Sequence, residues 1–384
     1  MNILVVAHYQ NDGSPTAIFV HDQVLAYRKL GHSVRVVVPI AFGKRDLNGR
    51  RQGIGVRWEN IDGIPHYFIR HFSLSKYGKR RFNTAAALCT LRVGLGAVLD
   101  GFTPDVIHAH TLGFDSEIGA WLKRHLDVPL VVTTHGSDTT IPMSLGEHDQ
   151  MKRLCNRADE IVAVSGVLRA RLIPCGTDTP VRVIHNGFRS KHLRGQTPKN
   201  PCSFQQTSHL IELKKVDITI RAFARIHAVH PESRLTIIGT GVMRAELEAL
   251  CGQLGVSEVV RFLGEVPNAQ VFQELGQSQF YIMPSVREGL PISYLEAMGS
   301  GCITVGTAGE GISEIITSGE NGFLVPPDDP DAIVQAVEWC FSHPDEAAAI
   351  AEQGRRDALG LTWEKNASEY IELFKSMRSK GGRL

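Results

Sequence analysis

Short apolar runs rich in Val and Ile alternate along the chain with stretches whose apolar residues recur at helical spacing, a βα rhythm that begins at the first residues. The pattern predicts a strand over residues 3–7, a helix over 17–30 and a returning strand over 34–38. Gly31 stands where a helix favours a left-handed residue just past its end. Further strands are predicted at 106–109, 130–134, 161–164 and 181–184. Runs this apolar belong to parallel sheets covered on both faces. Periodicity lapses over 186–206, where Gly, Pro, Lys and Asn collect as in an interdomain linker. A second series follows, with strands at 208–213, 234–238, 259–263, 280–283 and 303–305 and helices at 217–227, 243–254, around Tyr294 and after Pro330. The expected fold is α/β, with two Rossmann-like doubly wound domains over 1–195 and 196–362. Such sheets bind ligands outside the carboxyl ends of their strands, where strand order reverses. The active site is therefore expected in a cleft between the halves.

Length agrees with two domains, because 384 residues exceed what one core fills. A composition of 43% apolar and 21% charged residues suits a globular protein with substantial cores. The formal net charge of +1 argues against a nucleic-acid partner, which calls for an overall basic excess. Seven scattered cysteines, never spaced as CxxC, suggest neither a disulfide framework nor a zinc site and fit a reducing compartment. The opening MNILVVAHYQ carries no basic leader and reads as the first strand, and no long unbroken apolar run follows, so a cytoplasmic, non-spanning chain is expected. One basic cluster stands out: Lys44, Arg45, Arg50, Arg51, Lys76, Lys79, Arg80 and Arg81, with Arg92 on a following helix that also carries Leu88, Leu91, Val93 and Leu95. It reads either as a solvated surface or as a peripheral contact with anionic lipid at the inner face of a membrane.

The most informative segment runs from Pro284 to Met298, PSVREGLPISYLEAM. Gly289 permits an unusual turn, and Pro291 suits the first position of a helix. The helix then presents unpaired amides at Ile292 and Ser293 with the positive end of its dipole behind them, which attracts phosphate. Glu288 and Glu296 flank that anion site, and carboxylates suit the vicinal hydroxyls of a sugar or ribose. In the first half, the loop 11–16 contains Gly13 and Ser14, whose amides either cap a phosphate or face the acceptor, and it lacks the GxGxxG of dinucleotide binders. His108 and His110 alternate onto one side of a strand, which suits packing or acceptor contact better than a metal pair.

The 284–298 segment resembles the Glu-x7-Glu signature of the retaining family-4 glycosyltransferases, which have the GT-B fold. The stretches 309–314 and 319–325 are similar to the same family, as is SHLIELKKVD at 208–217, which corresponds to its Gly-Arg-Leu-Val-x-x-Lys-Gly-Val-Asp. The resemblance implies that Glu288 contacts the donor sugar and Glu296 the ribose, with Gly289, Leu290, Pro291 and Ile292 lining the donor. It implies that Lys214 neutralises the departing diphosphate, with His209 in place of the family's arginine. Imidazole is a weaker, pH-dependent cation without the bidentate fork. Ser208 and Lys215 replace glycines, as does Glu310. Thr134-His135-Gly136-Ser137-Asp138 resembles the family's histidine motif and places His135 beside the transferring sugar, and Asn186-Gly187 matches the turn that ends the first domain. The resemblance further implies a C-terminal helix, within 363–384, that crosses back onto the first domain.

The function expected on these grounds is retaining, metal-independent hexosyl transfer from a nucleotide diphosphate sugar to a glycan or lipid-linked acceptor, in cell-surface polysaccharide or glycoconjugate assembly. A UDP-sugar is the expected donor, and no cofactor beyond that co-substrate is expected. Two alternatives remain open: a nucleotide-sugar epimerase of the same architecture, and an inactive sugar-nucleotide-binding partner subunit.

Overall fold

The computed structural model describes residues 1–8, 18–42, 54–73, 80–190, 193 and 199–380. The chain divides into two compact units, Met1–His185 with Trp363–Leu384, and Asn186–Thr362. The division falls after His185, earlier than the boundary expected at 195. Its physical reason is Asn186, buried in the second unit with its side-chain amide donating to the Leu290 carbonyl at 3.0 Å. Gly13 and Ser14 lie outside the described residues, as do Lys44, Arg45, Arg50, Arg51, Lys76 and Lys79.

The first unit is built on eight strands: β1 (Asn2–Val6), β2 (Ser33–Phe42), β3 (Gly55–Ile61), β4 (Ile64–Phe72), β5 (Val106–His110), β6 (Leu130–Thr134), β7 (Glu160–Ala163) and β8 (Val181–Val183). Their order is β3-β4-β2-β1-β5-β6-β7-β8. Neighbours are parallel except β3 and β4, which pair antiparallel. That hairpin is absent from the sequence expectation. Its signal is Asp62-Gly63, two residues at φ 50° and 77° that join the strands in the left-handed geometry favoured by tight hairpins. The helices are α1 (Ile18–Lys29), α2 (Arg80–Leu99), α3 (Phe114–Leu126), α4 (Ser137–Ser144), α5 (His148–Cys155) and α6 (Gly166–Leu172). Helix α1 ends as its glycine predicts: Gly31 has φ 84°, its N–H reaches the Arg28 carbonyl at 2.9 Å, and the His32 N–H reaches the Tyr27 carbonyl at 3.1 Å.

By length and hydropathy, Phe82–Leu99 within α2 would suffice to cross a membrane. Ala87, Leu91 and Val98 are instead buried in the core of this unit and Leu88 and Leu95 pack against it, while Arg92 and Val93 face outward. Most of the apolar face that suggested a lipid contact is thereby occupied.

The second unit carries β9 (Asn200–Thr207), β10 (Arg234–Ile238), β11 (Val260–Gly264), β12 (Ser278–Ile282), β13 (Ile303–Thr307) and β14 (Phe323–Val325). All neighbours run parallel, in the order β11-β10-β9-β12-β13-β14. Its helices are α7 (Val216–Val229), α8 (Arg244–Gln253), α9 (Asn268–Gln277), α10 (Ile292–Gly299), α11 (Pro330–Ser342) and α12 (Pro344–Leu359). The strand expected at 208–213 lies earlier, as β9, inside the predicted linker; Ser208 to Ile211 form a turn instead. Phe204 of β9 stacks on Phe280 of β12 at 4.9 Å and meets Phe223 of α7 edge-on at 5.6 Å, so the strand is held by the core of the unit. The last helix, α13 (Trp363–Lys380), belongs to the first unit, where Tyr370 and Phe374 pack around Tyr27 of α1.

Candidate active site

In the second unit strand order reverses between β9 and β12, and the chain leaving the carboxyl end of each strand carries the residues singled out by sequence. From β9 a turn leads through His209 to a 3-10 turn at Glu212–Lys214; from β12 the chain runs through 284–291 into α10. The two segments are tied together, since the Val286 N–H donates to the Leu213 carbonyl at 2.9 Å. Across that tie the Lys214 ammonium donates to Oε1 of Glu288. Both side chains are mostly covered, at 16% and 17% exposure, so the pair is shielded enough to act as one charged unit and open enough to meet a ligand.

Each partner is held from behind. Gln206, fully buried in β9, donates from Nε2 to the Lys214 carbonyl at 2.9 Å. Glu310 accepts the N–H of Arg287 on Oε1 and of Glu288 on Oε2, both at 2.9 Å. The unusual turn foreseen at Gly289 is located at Arg287, with φ 59°. Pro291 is likewise not the first helical residue but the N-cap of α10, in extended geometry at ψ 129°. Ile292 and Ser293 therefore open the helix, in positions whose N–H groups have no partner within it. Leu290 is buried beneath that entry. Glu296, one turn further along, is 8% exposed and sits 3.4 Å from Nδ2 of Asn268, the first residue of α9.

His209 is exposed on its turn, whose backbone is fixed by the end of β10 and the residues after it: the Ser208 N–H donates to the Ile238 carbonyl and the Leu210 N–H to the Thr240 carbonyl, each at 2.9 Å. Gly239 and Gly241 make this approach possible, because a Cβ on them would lie 1.9 Å from the Ser208 oxygen and 2.2 Å from the Leu210 oxygen.

In the first unit His135 follows β6, at the carboxyl end of the sheet. Asp138, in the first turn of α4, accepts the N–H groups of His135 at 3.0 Å, Gly136 at 2.9 Å and Leu112 at 2.8 Å, which fixes the loop. Nε2 of His135 lies 3.0 Å from Nδ1 of His110, with the rings stacked. Burial lowers His135 to about 4, against smaller opposing pulls from Asp138 and Asp115, so the ring is neutral near pH 7. His108 is fully buried and pushed down to about 3 by burial and by His135, with Nε2 at 2.8 Å from Thr133 Oγ1 and Nδ1 at 3.3 Å from the Tyr27 hydroxyl. Both nitrogens are engaged in packing contacts rather than poised as metal ligands.

Sequence reasoning missed four contributors. Gln206 shows only as a polar residue inside an apolar strand, Asn268 heads a helix absent from the expectation, and Glu310 registers merely as a departure from a glycine. The fourth is His8, just past β1, whose Nδ1 lies 2.9 Å from Oδ1 of the buried Asp115. Burial works against its charged form, yet the charge and hydrogen bond of Asp115 together raise its pKa.

Two family models divide the chain between them: Glycosyltransferase Family 4 matches residues 16–191, and Glycosyl transferases group 1 matches residues 194–357. A GDP-mannose-dependent alpha-(1-6)-phosphatidylinositol monomannoside mannosyltransferase of Mycolicibacterium smegmatis is 28% identical over 273 residues, covering 65% of this chain and 70% of that protein. Among solved structures, sucrose-phosphate synthase from Thermosynechococcus elongatus superposes with a TM-score of 0.80 at 18% identity, over 99% of both chains. The Anabaena protein HepE, solved with UDP and glucose, gives 0.75 at 20% identity, over 97% of this chain and 99% of its own. With its first half matching one glycosyltransferase model, its second half the other, and both units folded as in these structures, the chain belongs to the family-4 glycosyltransferases of the GT-B fold.

Proposed function

We infer that the chain transfers a hexosyl group, with retention and without a metal ion, from a nucleotide diphosphate sugar to a glycan or lipid-linked acceptor in cell-surface polysaccharide or glycoconjugate assembly. The observation that carries this reading is the Lys214–Glu288 pair at the strand-order reversal of the second unit, beside the N-terminus of α10. In the free protein Glu288 balances the ammonium. A diphosphate brings a second anion, and the Lys214 cation with the Ile292 and Ser293 amides offers preformed stabilisation for the charge that grows on it. Glu288 then accepts hydrogen bonds from the sugar hydroxyls and Glu296 from the ribose.

In the reaction the bond between the anomeric carbon and the phosphate oxygen breaks, its electron pair leaving with the diphosphate. The acceptor oxygen bonds to that carbon on the same face, and its proton passes to the departing phosphate oxygen. His135, neutral as its burial dictates, takes the sugar-contact role. A UDP-sugar is the proposed donor, supported by the UDP bound to HepE, although the mycobacterial relative is named for GDP-mannose. The phosphatidylinositol monomannoside in that relative's name supports a lipid-borne acceptor, and with it a peripheral site at the inner face of a membrane with the exposed Arg92 toward anionic lipid.

A thermal-shift panel of UDP, GDP and ADP with their sugars tests the reading, because a true donor stabilises the folded chain by mass action. The donor that shifts the midpoint is then assayed for turnover. Lys214→Ala should lower turnover by about two to four orders of magnitude with the fold intact. No shift with any nucleotide, or full turnover without Lys214, would remove the basis of the proposal.

A further inference from the structure

We propose that Glu310 is a positioning residue for the transfer reaction, a carboxylate clamp that holds the turn at Arg287 and thereby sets Glu288 against Lys214; it rests on the donor-site reading above. Both of its oxygens are used on consecutive amides, Oε1 by Arg287 and Oε2 by Glu288, at 2.9 Å each. The residue itself is fixed. It is 8% exposed, caps the 3-10 turn Gly311–Glu314, and its carbonyl accepts the Ser313 N–H at 2.9 Å and the Ser313 hydroxyl.

The clamp has a specific task. Arg287 stands at φ 59°, a conformation that a side chain with a Cβ disfavours and that a loop would relax if left free. Two charge-assisted hydrogen bonds from an immobile carboxylate oppose that relaxation. The residue they hold next in line is Glu288, whose carboxylate meets Lys214, itself anchored through its carbonyl by Gln206 and through Leu213 by Val286. The ion pair is thus suspended between two buried side chains, one for each loop. Losing Glu310 takes two hydrogen bonds from the turn that carries Glu288, while the Gln206 anchor of Lys214 stays in place. A glycine, which the family pattern shows here, has no side chain with which to do this.

The test uses Glu310→Gln, which matches the carboxylate in shape but turns an NH2 toward one of the two amides. With the donor that supports wild-type turnover, kcat should fall about 10- to 100-fold while the donor KM stays within about threefold, since charge stabilisation is lost more than ground-state binding. Arg287→Gly placed on top of Glu310→Gln should recover about fivefold or more of kcat, because glycine adopts the left-handed turn unaided. Hydrogen exchange gives a reading independent of activity: in the wild type the Arg287 and Glu288 amides exchange slowly, and in Glu310→Gln about tenfold faster or more. Wild-type kcat in Glu310→Gln beside an inactive Lys214→Ala would overturn the role of Glu310 and leave the donor site standing. Full turnover in Lys214→Ala would overturn both. Fast exchange of the two amides in the wild type, or a double variant no better than Glu310→Gln, would likewise overturn the clamp.

Discussion

Lowering the pH from 7 to 4.5 sets His108 against its surroundings. The ring is fully buried, and burial followed by the nearby His135 brings it down to about 3. Its surroundings suit a neutral ring, with Nε2 2.8 Å from Thr133 Oγ1 and that hydroxyl 2.7 Å from the Tyr370 oxygen. In the unfolded chain an imidazole titrates at about 6.5. Because the folded value lies below the unfolded one, the stability from this ring is present in full above about pH 6.5 and is lost as pH falls toward 3. At pH 4.5 the unfolded ring gains about two pH units of protonation that the folded ring is denied, so the loss is about 3 kcal/mol at about 1.4 kcal/mol per unit.

Other groups titrate in the same window, among them His135 and the carboxylates, and a comparison with His108→Gln cancels what they share. Glutamine reaches toward Thr133, keeps a hydrogen-bonding group there and binds no proton. At pH 7 the variant should be less stable by about 1 kcal/mol, the net value of a hydrogen bond. Between pH 7 and 4.5 it should lose about 2–3 kcal/mol less than the wild type, so the order of stability reverses. Urea unfolding followed by tryptophan fluorescence reads this, since Trp58, Trp121 and Trp363 lie in the first unit and only Trp339 in the second. Equal losses in the two proteins would refute the claim that the folded unit keeps the proton off this ring.

Two further outcomes follow from the second unit. Gly241→Ala puts a Cβ 2.2 Å from the Leu210 oxygen, and backbone cannot yield as a flexible side chain can; the unit should lose about 3 kcal/mol by urea unfolding. Turnover should fall as well, because the displaced turn leads directly into Lys214, and a variant of wild-type stability would show that the two turns are not in close contact. Glu296→Gln should weaken nucleotide diphosphate binding by about tenfold in calorimetry while leaving the fold intact, if the carboxylate holds two ribose hydroxyls; unchanged affinity would reassign Glu296 to the packing of α9 on α10.

The interior strands of the first sheet were legible because buried parallel strands leave apolar runs rich in Val, Ile and Leu, as in β1 and β6. Two errors had physical causes. Strand β9 opens Asn-Pro-Cys-Ser and carries Gln205 and Gln206, a composition that reads as linker until the partners are known. Gln205 pairs with Thr207 and with the distant Ser278, and the Gln206 NH2 donates to the Lys214 carbonyl while its oxygen has no partner among the described residues, so these buried amides are held partly through contacts that a strand-length window does not contain. The β3–β4 hairpin was overlooked for the opposite reason. Its pattern is local, but Trp58 and Ile54 stay exposed on it, so the alternation of a half-buried strand is blurred. At the site, Glu288 and Glu296 were singled out by the helix entry around them, and Lys214 by the resemblance of 208–217 to the family's motif; the clamp on Glu288 stayed hidden because Glu310 follows the intervening α10 and β13.

The two positions where charged residues replace the family's glycines separate conformation from chemistry. Lys215 sits at φ 50°, where glycine is the unstrained choice, and the lysine costs about 1 kcal/mol there. Its ion pair with Asp328 at 2.8 Å, on a partner 57% exposed, offsets about half of that or less. Glu310, at φ −97°, lies in a region open to any residue, so glycine was never needed there for its backbone. A side chain could enter without strain and turn both of its oxygens to the loop opposite. The charge at 215 is therefore a cost with a partial remedy. The charge at 310 adds an interaction, and it falls on the backbone of Glu288, the residue whose placement the transfer reaction depends on most.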